Sequence, residues 1–150
     1  MFRGVNTLNI DAKGRIAMPK RYHDRLKADC DGLLVVTADP ARCLLIYPYP
    51  AWEKVEQRLN ELPNIEGRHR FLQRLVVGHA MESPMDGQGR ILLPPPLREF
   101  ASLDKHATLL GQGSKFELWD KQTWHDRCEE WLNKDQEALP LSAELGSLTL

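Results

Sequence analysis

At 150 residues, with 42% hydrophobic and 27% charged side chains, the chain suffices for one ordinary domain or two small ones, and its composition excludes wholesale disorder. Its longest apolar runs, 33–36 and 43–47, are far too short to cross a membrane, and residues 1–6 lack the apolar stretch of a secretory signal, so a cytoplasmic, membrane-free address is expected. Net charge is −1, yet residues 1–28 hold seven Lys/Arg against two Asp and residues 81–150 hold seven against twelve acids, an asymmetry that fits either a nucleic-acid footprint or a solvated face.

In chain order, residues 5–10 alternate polar and apolar from Asn6 onward and predict a half-buried strand. A tight loop follows at 11–14, where Gly14 permits a positive φ, and residues 15–18 return as the partner strand. Pro19 suits a first helical turn, since its missing N–H would be unbonded there, and that helix is predicted to run to about Leu26. Asp31-Gly32 turns the chain into a second hairpin, 33–37 with 43–47, around Asp39-Pro40. Trp52, Val55, Leu59 and Leu62 have helical spacing up to Pro63, and Phe71, Leu72, Leu75 and Val76 mark one face of a helix over about 68–77.

The series then recurs. Strand 81–85, loop 86–89, strand 90–93, a short helix from about Pro96, and hairpin 108–111 with 115–119 follow in the same order. Asp120 is placed as the N-cap of a last helix carrying Trp124, Cys128, Trp131 and Leu132, with Cys128 read as core. Weak periodicity over 137–150 predicts a mobile tail.

The recurrence is a sequence repeat. Asp11-Ala12-Lys13-Gly14-Arg15-Ile16-Ala17-Met18-Pro19 matches Asp86-Gly87-Gln88-Gly89-Arg90-Ile91-Leu92-Leu93-Pro94 with an offset of 75. Downstream, 43–47 matches 115–119 and Trp52 falls on Trp124, with the offset reduced to 72 by a shorter turn. The predicted organisation is repeat 1 over 5–52, a helical connector over 53–80, repeat 2 over 81–124, and a helix and tail over 125–150. One unit of about 50 residues is too small to bury a good core alone, so the two should pack together or interleave.

The chemistry concentrates in the Asp-x-x-x-Arg loops. An Asp opening a tight turn accepts from backbone N–H groups two or three residues on. Pairing with the Arg four places later holds the guanidinium in one orientation, and a pre-oriented guanidinium reads guanine O6/N7 or phosphate oxygens. One such motif is a common surface ion pair; two in matching context are not. The three cysteines and five histidines lack zinc-site spacing, so no metal or other cofactor is expected. His23, Asp24, Cys30 and His79 form no known catalytic arrangement and no nucleotide or hydrolase motif is present, so catalysis is not expected.

Met1-Phe2-Arg3-Gly4, the two loops, Gly78-His79-Ala80 and Phe116-Glu117-Leu118-Trp119 together make the chain resemble the MraZ family, within the AbrB-like swapped-hairpin proteins. The resemblance spans essentially the whole chain. It implies an α+β fold, mainly β, in which a double-psi/swapped-hairpin AbrB-like unit is duplicated in tandem as an internal pseudo-dimer with flanking helices. It further implies a ring-like homo-oligomer, nucleoid-associated, that binds double-stranded DNA at short repeats upstream of the division and cell-wall gene cluster and represses that promoter, its own. Carried over by position, Arg15 and Arg90 are the expected DNA contacts, Arg3 and Lys13 expected phosphate contacts, and Lys20 and Arg21 either further contacts or a solvated helix face. Asp11, Gly14, Asp86 and Gly89 are expected to shape the loops. Gln88 and Gly87 replace Lys13 and Ala12, so the second loop, with one charge fewer, is expected to contribute less. The alternative is an antitoxin-like or scaffold module whose aromatic helices dock a protein.

Overall fold

A computed structural model of the chain describes residues 1–63, 65 and 67–134. The first repeat comprises β1 (Phe2–Asn9), β2 (Arg15–Ala17), a 3-10 turn (Lys20–Tyr22), α1 (His23–Cys30), β3 (Leu33–Ala38), β4 (Leu44–Pro48) and α2 (Tyr49–Glu61). Helix α3 (Gly67–Leu72) and a π-helical turn (Gln73–Val77) connect it to the second, which comprises β5 (Met81–Pro84), β6 (Arg90–Leu92), α4 (Pro95–Phe100), β7 (His106–Gly113), β8 (Phe116–Asp120) and α5 (Lys121–Asn133). The expected tail over 137–150 lies outside the described residues.

Strand pairing departs from the local reading. β2 is not the partner of β1. β1 pairs antiparallel with β7 of the other repeat, from Phe2↔Gly113 to Asn9↔His106, and β5 pairs with β3. β2 pairs with β6, Ile16 opposite Ile91, as a separate two-stranded ribbon. Among the described residues the main sheet therefore has the order β1-β7-β8-β4-β3-β5. Each loop still makes the local turn predicted for it, but the strands on either side go to different sheets. The fold is α+β with a tandem duplication, its repeats interleaved.

The register shows the symmetry. Ile16 and Ile91 are repeat equivalents (16 + 75 = 91) and also direct cross-strand partners. Leu45 and Glu117 are equivalents by the downstream offset (45 + 72 = 117) and again direct partners, in β4 and β8. A twofold relating the repeats passes through both pairs, so whatever one loop builds, the other builds at the opposite end of the ribbon.

Alternation sorts the side chains. Leu34, Val36, Leu44, Ile46, Leu109, Phe116 and Leu118 are buried against the ribbon's Ile16, Met18, Ile91 and Leu93, with Leu26 and Leu97 of α1 and α4 closing that side. Val35, Leu45 and Tyr47, on the other face, pack under Trp52 of α2 and Val76 of the π turn. Fully burying one such aliphatic side chain contributes about 1.5–3 kcal/mol. β3 and β4 are covered on both sides, which is why 33–36 reads as an unbroken apolar run.

Three helix expectations need correction. α1 does not stop near Leu26 but continues through polar residues to Cys30, where Asp31 takes a left-handed φ of 52° and Gly32 N–H donates to the Leu26 carbonyl at 3.1 Å, ending it. The 68–77 helix is α only as far as Leu72; it widens into a π turn whose Val76 carbonyl accepts from the buried Thr37 hydroxyl, and Phe71 is exposed rather than packed. α5 is capped as predicted, Asp120 accepting from Thr123 N–H at 3.0 Å, but it buries no residue: Cys128 is only half-buried, and Trp131 and Leu132 are exposed. Helical spacing identifies a face, not its cover.

Candidate nucleic-acid interface

The two loops make the same bonds. Asp11 Oδ1 accepts from the backbone N–H of Lys13 (3.0 Å) and Arg15 (2.8 Å), and its Oδ2 accepts from Arg15 Nε at 2.8 Å. Asp86 Oδ1 accepts from Gln88 and Arg90 N–H (both 2.9 Å), and Oδ2 from Arg90 Nε at 2.9 Å. Gly14 N–H donates to the Asp11 carbonyl, and Gly89 N–H to that of Asp86, each at 3.0 Å. Gly14 and Gly89 hold φ of 82° and 78°, left-handed values that a side chain would strain.

With Nε engaged, each guanidinium keeps its Nη donors, which bond no protein acceptor among the described residues. Both arginines leave the same side of the ribbon. Ile16 and Ile91 point into the core, so their neighbours Arg15, Ala17, Arg90 and Leu92 face outward. Arg15 lies opposite Leu92 and Arg90 opposite Ala17, which sets the two arginines on a diagonal of about 7–8 Å, their Cβ atoms somewhat closer. Gly14–Leu93 and Gly89–Met18 backbone bonds extend the ribbon to five residues a strand, roughly 13 Å.

The backbone N–H of Arg15 is the first cause, and its Nε a further one, holding the Asp11 carboxyl below the usual carboxylate range; for Asp86 the leading cause is the Arg90 N–H. A depressed folded-state value means the loop bonds are complete above the range of a free aspartate, about pH 4, and are lost only as pH falls through the lower folded value. The Arg15 and Arg90 Nε–H signals in NMR are therefore expected to persist at about pH 4; their loss with a midpoint at or above that pH would show that the carboxylates are not so held.

The remaining basic candidates lie in two places. Lys13 is exposed at the tip of the first. Arg3 is exposed on β1; its carbonyl accepts from Tyr22 Oη, to which Arg21 Nη2 donates at 2.9 Å while lying over the Tyr22 ring at 4.7 Å. Tyr22 adjoins His23, whose ring lies against Gly89. Arg3 and Arg21 thus meet at Tyr22, next in sequence to the residue that backs the second loop, with Lys20 just before them in the 3-10 turn. Of these, Arg21 is fastened to protein, while Lys20 is exposed.

Three of the groups considered for catalysis, His23, Cys30 and His79, have structural partners instead. His79 Nδ1 donates to the Leu75 carbonyl at 2.8 Å, Cys30 Sγ donates to Leu26 at 3.1 Å, and burial pushes the Cys30 thiol up. Among the described residues no three His, Cys, Asp or Glu side chains could hold a metal, and no helix is long and apolar enough to cross a membrane.

The family model described as "MraZ protein, putative antitoxin-like" matches twice, over residues 1–75 and 76–140. The chain belongs to the MraZ family. It is 57% identical over the whole of both chains to the transcriptional regulator MraZ of Thioalkalivibrio sulfidiphilus. It is 53% identical, over 97% of this chain and 94% of the relative, to that of Halorhodospira halophila, and 51% identical, over 99% of each, to that of Methylococcus capsulatus. These MraZ proteins are named for transcriptional regulation, not catalysis. The double match of the MraZ model coincides with the repeat legible in the sequence. Two residues at the loops escaped the sequence reading. Leu92, 49% exposed between the arginines, was read only as an apolar strand position, and Arg98 was not singled out. The offset of 75 was the signal for Arg98, since it projects His23 onto it.

Proposed function

We propose that the chain is a sequence-specific reader of double-stranded DNA that regulates transcription from the nucleoid, repressing its own promoter and the division and cell-wall gene cluster. The observation that carries this reading is the pair of guanidinium groups fixed through Nε, Nη donors free, on one outward face of a two-stranded ribbon. A DNA major groove is about 12 Å wide and admits such a ribbon, and a forked guanidinium matches guanine O6/N7. Ala17 and Leu92 on that face are suited to thymine methyl groups. Lys13 at the first loop, Arg3 and Lys20 would meet phosphates; Arg21, bonded to Tyr22, would contribute through its charge.

One subunit offers few cations, so a ring-like homo-oligomer presenting many loops to short repeats would raise avidity by about 10²–10⁴-fold. Gel-shift titration with the chain's own upstream region tests the reading, alongside the mass of the assembly in solution. Binding is expected to weaken steeply with salt, about 10³–10⁵-fold between roughly 50 and 200 mM if 6–10 phosphates are contacted. Affinity that hardly moved over that interval would overturn it.

The family description and the exposed Leu132 of α5, beside a Trp131 whose ring packs edge-on against Trp119 and Trp124, favour a second reading, docking of a protein partner. In that case Trp131→Ala, not a loop substitution, would abolish function.

A further inference from the structure

The repeat offset joins two more residues: 23 + 75 = 98. His23 in α1 and Arg98 in α4 occupy equivalent places, and each crosses to the loop of the other repeat. The Arg98 guanidinium packs on Gly14, where a Cβ would lie 2.6 Å from Cζ, and the His23 ring packs on Gly89 in the same way. Each also holds its own repeat's ribbon end. Arg98 Nε donates to the Leu93 carbonyl at 3.0 Å, and His23 Nε2 donates to that of Met18 at 2.6 Å. Those ribbon residues in turn donate their N–H to the loop glycines, Leu93 to Gly14 and Met18 to Gly89, both at 2.9 Å. Each loop is thus backed by a side chain from the opposite repeat, through bonds that correspond one to one.

The chemistry of the two backings differs. A guanidinium is a permanent cation and an imidazole is not. Arg98 has Nε occupied, and its Nη groups bond no protein acceptor among the described residues. Arg98 lines an open groove of about 490 Å³ beside the first loop, together with Asp11, Ala12, Lys105 and His106. Asp11 is already paired with Arg15, so Arg98 and Lys105 outweigh the one remaining acid there, Asp104.

We propose that this groove is a phosphodiester site for the DNA backbone and that Arg98 is its principal cation, so that the second repeat completes the reading loop of the first. The proposal rests on the DNA-reading function above. Arg15 reads the base step and Arg98 neutralises a flanking phosphate. His23 is the positioning residue at the equivalent place behind the second loop.

The test is fluorescence anisotropy of the full-length chain on its labelled upstream duplex at pH 8, with a KCl series. Arg98→His installs what the other repeat carries at the same place, so the fold already accommodates it. It is expected to weaken specific and non-specific duplexes alike, about tenfold, and to lower the slope of log K against log salt by about one for every subunit engaged. Arg98→Lys should restore the slope, and His23→Arg should increase it by about one. An unchanged slope in Arg98→His, with wild type binding normally, overturns the phosphate site and leaves the DNA-reading function standing. Absence of wild-type binding overturns both. If Arg98→His loses its native circular dichroism, Arg98→Gln, which removes the charge at the same groove, decides: an unaltered slope refutes the proposal.

Discussion

Arg15→Ala is expected to lower affinity for the upstream repeats by about 5–150-fold per site, the equivalent of one forked guanidinium–base contact of about 1–3 kcal/mol, and by more where several subunits bind one duplex. The fold should be untouched. Arg15 leaves an exposed face of the ribbon, and its partner Asp11 keeps two backbone N–H bonds without it. Exposed ion pairs contribute little to stability. The melting temperature and the assembly mass should therefore match wild type while specific binding collapses. Arg15→Lys sharpens the experiment, because it keeps the charge and loses the fork: non-specific binding should survive and discrimination between sequences should not. Undiminished specific binding by either variant would remove the arginine from the reading mechanism. Arg90→Ala, compared side by side, ranks the loops.

Phe116→Ala is expected to produce the largest loss of stability. Phe116 is fully buried in β8, with its ring 4.4 Å from that of Phe2 and 5.0 Å from that of Tyr22. Deleting a buried Phe side chain costs about 3–5 kcal/mol, a large share of the roughly 5–15 kcal/mol that holds a domain folded. For a chain of this size that is a fall in melting temperature of about 6–20 °C. The damage should spread to one site in particular. Tyr22 fixes the start of β1 through the Arg3 carbonyl and anchors Arg21, so Arg3 and Arg21 lose their mounting while the Asp11–Arg15 and Asp86–Arg90 turns keep their own bonds. Calorimetry gives the stability. A drop below about 1 kcal/mol would mean that neighbouring side chains close the cavity.

Much of the site was legible because it is local and doubled. The Asp11 and Asp86 turns depend on five consecutive residues, so the bonds they form could be read from spacing. The partners of β1 and β2 could not. A period of two shows that residues 5–10 form a strand and which face is buried, but the turn at 11–14 closes identically whether the next strand folds back or departs to a ribbon. Partner exchange is decided by the core, where Ile16 and Ile91 must meet beneath the sheet. α1 was cut short for a related reason: its last turn continues the apolar face with only the small Cys30, four residues after Leu26, and a left-handed Asp31 ends it. No local pattern marks Arg98, because its neighbour Gly14 is 84 residues away in sequence; only the repeat offset points to it.

The pairing of β1 with β7 has a cost during synthesis. Asn9 leaves the ribosome about 97 residues ahead of its partner His106, and Phe2 about 111 ahead of Gly113. At about 5–20 residues per second, the first strand waits roughly 5–20 s with its hydrogen-bonding edge open, and a nascent neighbour on the same message carries the same waiting strand. The glycine at position 4, Asn6 and Asn9, and the charged Arg3 weaken that edge as a template for aggregation. The order of translation thus exposes the segment least able to seed aggregates for longest.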